Sequence, residues 1–108
     1  MLTTCELLSK TLEMIRHPDT WTAEAFARTE MGAGVTWIDP KASAWCAFGA
    51  LCNAGFGFDG KYFTPEYYEA KKILLELTDG VDLIIWNDSH SHKDVIALFE
   101  KAIEVASK

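Results

Sequence analysis

The sequence predicts a mainly α-helical α+β fold: four helices packed as one compact domain around a buried central helix, with a small β-hairpin. Three observations carry this. Ala42 to Ala54, Ala-Ser-Ala-Trp-Cys-Ala-Phe-Gly-Ala-Leu-Cys-Asn-Ala, holds no charge and is apolar on every side of a helical wheel. Such a helix belongs inside a domain, covered by others. Three further segments repeat apolar residues at helical spacing behind capping residues. Between the first of these and the apolar run, two β-prone stretches flank Gly32-Ala33-Gly34.

In chain order, Thr3-x-x-Glu6 forms a capping box. Cys5, Leu8, Leu12 and Ile15 follow as a stripe, joined by Leu7 and Met14, that is expected to cover one side of the central helix. His17-Pro18 stops this helix. Thr20, Trp21, Thr22, Phe26 and Thr29, then Val35 to Ile38, give the hairpin arms, although Ala23 to Ala27 favours helix locally. Asp39-Pro40 is a good start for the central helix, with Asp as N-cap and Pro at its first position; Ser43 is the alternative cap. Gly49 inside it costs about 1 kcal/mol relative to Ala, which marks close approach of another backbone. Asn53 and Gly55 end it.

Phe56 to Phe63 is a glycine-broken aromatic loop with a tight-turn signal at Asp59-Gly60. Thr64-Pro65-Glu66 starts the next helix, with a stripe of Tyr67, Ala70, Ile73, Leu74 and Leu77, and Asp79-Gly80 closes it. Val81 to Trp86 is a short apolar run that periodicity leaves open between a strand and a helical turn. Asn87-Asp88 ends that run. Ser91-x-x-Asp94 is a second capping box, opening a final helix with Val95, Leu98, Phe99, Ala102 and Ala106 on its inner face.

Composition narrows the function classes. The 108 residues, 49% hydrophobic and 24% charged, suit a single domain over 1–108 that needs neither metal nor disulfide to fold. Ten basic against sixteen acidic residues give a formal net charge of −6. Without a basic face, nucleic acid is not an expected partner. The uncharged run Ala42 to Phe58 is shorter than the ~20 apolar residues of a membrane span and carries polar residues and glycines, so no membrane is expected. Three cysteines, Cys5, Cys46 and Cys52, are an odd count; two lie in the apolar run, which points to a reducing, cytoplasmic setting.

Four constellations are candidates for chemistry. Cys46, near the start of the central helix, sits where the dipole lowers a thiol pKa, and Asn87 with His90 and His92 offers a Cys-His-Asn set for a hydrolase or transferase; its plainer role is a small buried hydrophobe. Asp88-Ser-His90-Ser-His92 holds metal-ligand types, but neighbours two apart need not converge, and no metal or other cofactor is expected. Trp86-Asn87-Asp88 shapes the turn into the last helix or, with Trp45 and Cys46, lines a pocket for a small molecule. Trp21, Trp37, Phe56, Phe58, Tyr62 and Phe63 are more aromatic surface than so small a domain buries, and exposed aromatics anchor interfaces; all but Phe63, with the acidic Asp59, are the candidate partner surface.

At Trp45-Cys-Ala-Phe-Gly-Ala-Leu51 and Trp86-Asn-Asp88 the chain resembles a family of small, uncharacterised proteins of actinobacteria, proteobacteria and bacteriophages. Their pattern is a Trp-Cys-Ala-x-Gly-Ala-Leu helix, then Trp-Asn-Asp before a final helix, here continued by Val95-Ile-Ala-Leu-Phe99. The family has no established activity, and His90 and His92 lie outside its pattern. The phage association implies a non-enzymatic protein, encoded by a phage or mobile element, that binds and inhibits a host defence protein through the aromatic and acidic residues above. The alternative is a small-ligand binder using Trp45, Cys46, Trp86, Asn87 and Asp88. Exposed aromatics fit a homodimer as well as a heterologous complex.

Overall fold

A computed structural model describes residues 2–56 and 62–108. Five helices and a three-stranded antiparallel sheet appear among them, against four helices and a hairpin expected: α1 (Thr4–Ile15), β1 (Ala27–Thr29), β2 (Gly34–Val35), β3 (Ala42–Trp45), α2 (Ala47–Gly55), α3 (Pro65–Leu77), α4 (Leu83–Ser89) and α5 (His92–Ala106). A short 3-10 turn at Pro18–Thr20 follows α1.

The helix starts follow local chemistry. Thr3 and Glu6 close the capping box of α1, and Ser91 and Asp94 that of α5. The Thr64 hydroxyl accepts from the Tyr67 N–H at the start of α3, with Pro65 in its first turn. At the far end of α3, Asp79 and Gly80 both take positive φ, 56° and 84°, the left-handed stop that a Gly makes easily.

The inner faces pack as their spacing dictates. Leu7, Leu8, Leu12 and Ile15 of α1 meet Ala50, Leu51 and Ala54 of α2, Ala70 and Leu74 of α3, and Val95, Phe99 and Ala102 of α5 in one core. Seven of the nine residues of α2 are buried, including Gly49 and Gly55. A methyl group at Gly49 would come within 2.1 Å of the Phe26 carbonyl oxygen. The close approach expected at Gly49 is therefore that of the strand side of the molecule.

Three expectations are corrected. The apolar run is not one helix from Asp39. Asp39 instead folds a turn, its carboxylate accepting from the Lys41 N–H at 2.8 Å, and Ala42–Trp45 is strand β3. The hairpin supplies the reason. With β2 on one edge of β1, the other edge still needs partners, and β3 provides them through Ala27↔Trp45 and Arg28↔Ala44, giving the order β2-β1-β3. The hairpin arms are correspondingly shorter than expected, with Ala27 opposite Val35 and Gly32 turning at φ 89°. Val81–Trp86, left open between strand and helix, enters α4 at Asp82, whose carboxylate accepts from the Ile84 N–H; Asn87 and Asp88 lie inside that helix, not in a turn after it.

Candidate functional site

The start of α2 is where the Trp45–Leu51 and Trp86–Asp88 motifs meet. Its N-cap is Cys46, whose sulfur accepts the Gly49 N–H at 3.2 Å. The first amide of α2, on Ala47, donates to Asn87 Oδ1 at 2.9 Å. Two of the four amides that a helix start leaves without internal partners are thus met by side chains, one from each motif.

Asn87 is fully buried and uses its whole hydrogen-bonding capacity. Oδ1 also accepts from the Trp21 indole N–H at 2.8 Å, while Nδ2 donates to the Thr22 carbonyl and to Asp88 Oδ1. One amide therefore joins α4, α2 and the segment entering β1. Asp88 extends the network: its Oδ1 accepts the Glu24 N–H at 2.8 Å. Glu24 holds φ 64°, a left-handed conformation that L side chains adopt at a penalty of about 1–2 kcal/mol. Arg28 braces the same segment, donating to the Thr22 hydroxyl and to the carbonyls of Ala23 and Gly32.

A cleft of about 520 Å³ opens between this segment, β2 and α4. Phe26, Val35 and Ile84 give it an apolar wall; Glu24 and Asp88 bring carboxylates, and Cys46 a thiol. Ala25, Gly34 and Thr36 complete the lining. The size lies within the roughly 300–1,000 Å³ range of small-molecule sites, which are mostly apolar with few polar groups.

Burial pushes the Cys46 pKa up from its ordinary value; the N–H groups of Gly49 and Phe48 pull the other way, and the Asp88 charge pushes up again. The expected lowering by the helix start is thus outweighed. Neither histidine is hydrogen-bonded to Cys46: His90 stacks on Trp86 at 3.8 Å and bonds the Trp86 carbonyl, while His92 bonds the Ile15 carbonyl and tilts against Trp21. Among the described residues no three His, Cys, Asp or Glu side chains are grouped to hold a metal.

Of the five residues assigned from the sequence to a ligand site, Cys46 and Asp88 line the cleft. Asn87 stands behind it as its organiser. Trp45 and Trp86 are half-buried against the core and are not part of the lining; the Trp45 indole N–H has no partner among the described residues. Of the six residues assigned to a partner surface, Trp21 belongs to the Asn87 network. Trp37 and Phe56 are half-buried in a cluster with Phe63, their rings 5.0 Å apart. Tyr62 is 72% exposed. Phe58 and Asp59 lie outside the described residues.

Sequence reasoning missed Glu24, Phe26, Val35 and Ile84 as parts of one site. Phe26 and Val35 stood out only as β-prone residues, and nothing local marks Glu24 as left-handed.

Among the described residues no helix is long and apolar enough to cross a membrane. No curated protein and no solved structure matches the chain. A family model described as a family of unknown function, DUF6197, matches residues 1–105, and the chain belongs to that family.

Proposed function

We propose that the protein is a non-enzymatic binding protein and that the cleft beside Cys46 and Asp88 receives a small, largely apolar molecule. The single observation behind this reading is the cleft itself: about 520 Å³, bounded by an apolar wall and a few fixed polar groups. The raised pKa of Cys46 and the engagement of both histidines elsewhere favour binding over thiolate chemistry. Native mass spectrometry of the freshly purified protein, beside denaturing spectra, tests it. A small companion mass that is lost in an Ile84→Trp variant, whose indole fills the cleft, is the expected result. Equal native and denatured masses, with no saturable amide shifts around the cleft in a fragment screen, would sink the reading.

A second reading keeps the chain as a phage- or mobile-element-encoded inhibitor that binds a host defence protein. Tyr62 and Tyr68, 72% and 58% exposed, favour it: Tyr68 meets the Phe63 ring edge-on at the aromatic cluster, and Tyr62 precedes Phe63 in the chain. Its host target rests on the family resemblance alone. Capture of one host protein by the native chain, abolished by Tyr62→Ala with Tyr68→Ala, is the expected result. Capture that survives the double substitution removes this surface from the reading.

A further inference from the structure

We propose that the cleft selects an organic cation, an ammonium or amidinium group carried on an apolar body. This rests on the cleft being the binding site and adds the chemical class of its ligand. Glu24 and Asp88 both line it, and among the described residues no Lys, Arg or His does. Neither carboxylate is ion-paired among the described residues. Arg28, the cation on the neighbouring strand, spends its guanidinium on Thr22, Ala23 and Gly32.

Asp88 is fixed by its own network. Its Oδ1 is occupied by the Glu24 N–H and by Asn87 Nδ2, while Oδ2 has no partner among the described residues. The Glu24 carboxylate likewise has none. The Cys46 side chain, 2% exposed, also lines the cleft; its sulfur accepts from Gly49, and its S–H has no acceptor among the described residues. Two carboxylates without ion-pair partners among the described residues and an apolar wall call for a ligand with positive charge at one end and hydrocarbon at the other. Phe26, 44% exposed, puts an aromatic ring in the same wall, and aromatic rings attract cations. An anionic ligand would meet the negative charges of Glu24 and Asp88 in the lining.

The test uses three probes of one shape: phenethylammonium, 2-phenylethanol and 3-phenylpropionate. Each is titrated into the ¹⁵N-labelled protein, following the amides of Glu24, Phe26, Val35 and Asp88. Phenethylammonium is expected to saturate these shifts at least about tenfold more tightly than phenylpropionate, the difference that one charge-assisted hydrogen bond supplies. Glu24→Gln, at an exposed position, should weaken phenethylammonium by several-fold and leave phenylethanol unchanged. Phenylpropionate binding as tightly as phenethylammonium, or a Glu24→Gln protein with unaltered preference, overturns the cation assignment while the cleft remains a binding site. No saturable shift from any of the three overturns the cation assignment and the binding reading together.

Discussion

Two halves of this small protein are held by different forces. The half built from α1, α3 and α5 around α2 is an apolar core, where Phe99, Leu7, Leu8 and Leu51 are at most 1% exposed. The half built from Trp21 to Trp45 with α4 buries little large apolar side chain of its own. Its joint is polar: Asn87, with four hydrogen bonds to three segments, and Asp88 holding Glu24. The first half follows from periodic hydrophobicity and resists substitutions of similar volume. The second depends on hydrogen bonds whose partners are individually irreplaceable, and that half carries the cleft. A wall held by directed bonds leaves space beside it, whereas close packing of apolar side chains fills it.

The sharpest way to break the helical half is Phe99→Ala. A fully buried aromatic is lost, and stability is expected to fall by about 4 kcal/mol in chemical denaturation. A loss under about 1 kcal/mol would mean that this core is not close-packed. The polar half should answer to Asn87→Ala with a loss of about 3 kcal/mol, because the Trp21 N–H, the Ala47 N–H and the Thr22 carbonyl all lose their partner. Hydrogen exchange sharpens the comparison: amides at Thr22 and Ala47 should accelerate more than those at the middle of α1 and α5.

Gly49→Ala probes the seam between the halves. Its methyl group would press on the Phe26 backbone, which cannot rotate away as a side chain can, and a loss of about 2 kcal/mol is expected from thermal unfolding.

The pH response separates burial from hydrogen bonding. Burial holds the Cys52 thiol up at about 11, above its unfolded value, although the neighbouring Tyr67 hydroxyl pulls it down. Folding therefore favours the protonated thiol. That contribution is complete below the unfolded pKa and is lost as pH rises through the folded one, so stability should fall by roughly 2 kcal/mol between about pH 9 and 11. Cys52→Ala should flatten this part of the profile; an unchanged slope would assign it to other groups. The smallest effect is a gain. Glu24→Gly relieves the left-handed backbone at φ 64° and should stabilise the chain by about 0.5 kcal/mol while weakening cation binding at the cleft.

Local chemistry was enough for α1, α3 and α5. Thr3, Thr64 and Ser91 cap against residues three positions on, and the apolar stripes name their own buried faces. Gly49 could be singled out as a point of close approach, though not the carbonyl it meets. The reading failed first at the boundary of the apolar run. Uncharged residues such as Ala42 to Trp45 suit a strand beside β1 as well as the first turns of a helix, and the choice belongs to the unpaired edge of β1.

The candidate site was less legible for the same reason. Cys46, Asn87 and Asp88 could be picked out by type and motif, but whether each lines a cleft or supports it depends on distant partners. Asn87 meets Ala47, Thr22 and Trp21 across 40, 65 and 66 positions of sequence. Helix caps and hydrophobic spacing act over a few residues, so they are written into neighbouring letters of the chain and survive without knowledge of the fold. The strand–helix boundary at Cys46, the helical state of Leu83–Ser89, the left-handed Glu24 and the cleft were decided by tertiary structure, because each exists only once segments far apart in sequence satisfy one another's backbone hydrogen bonds.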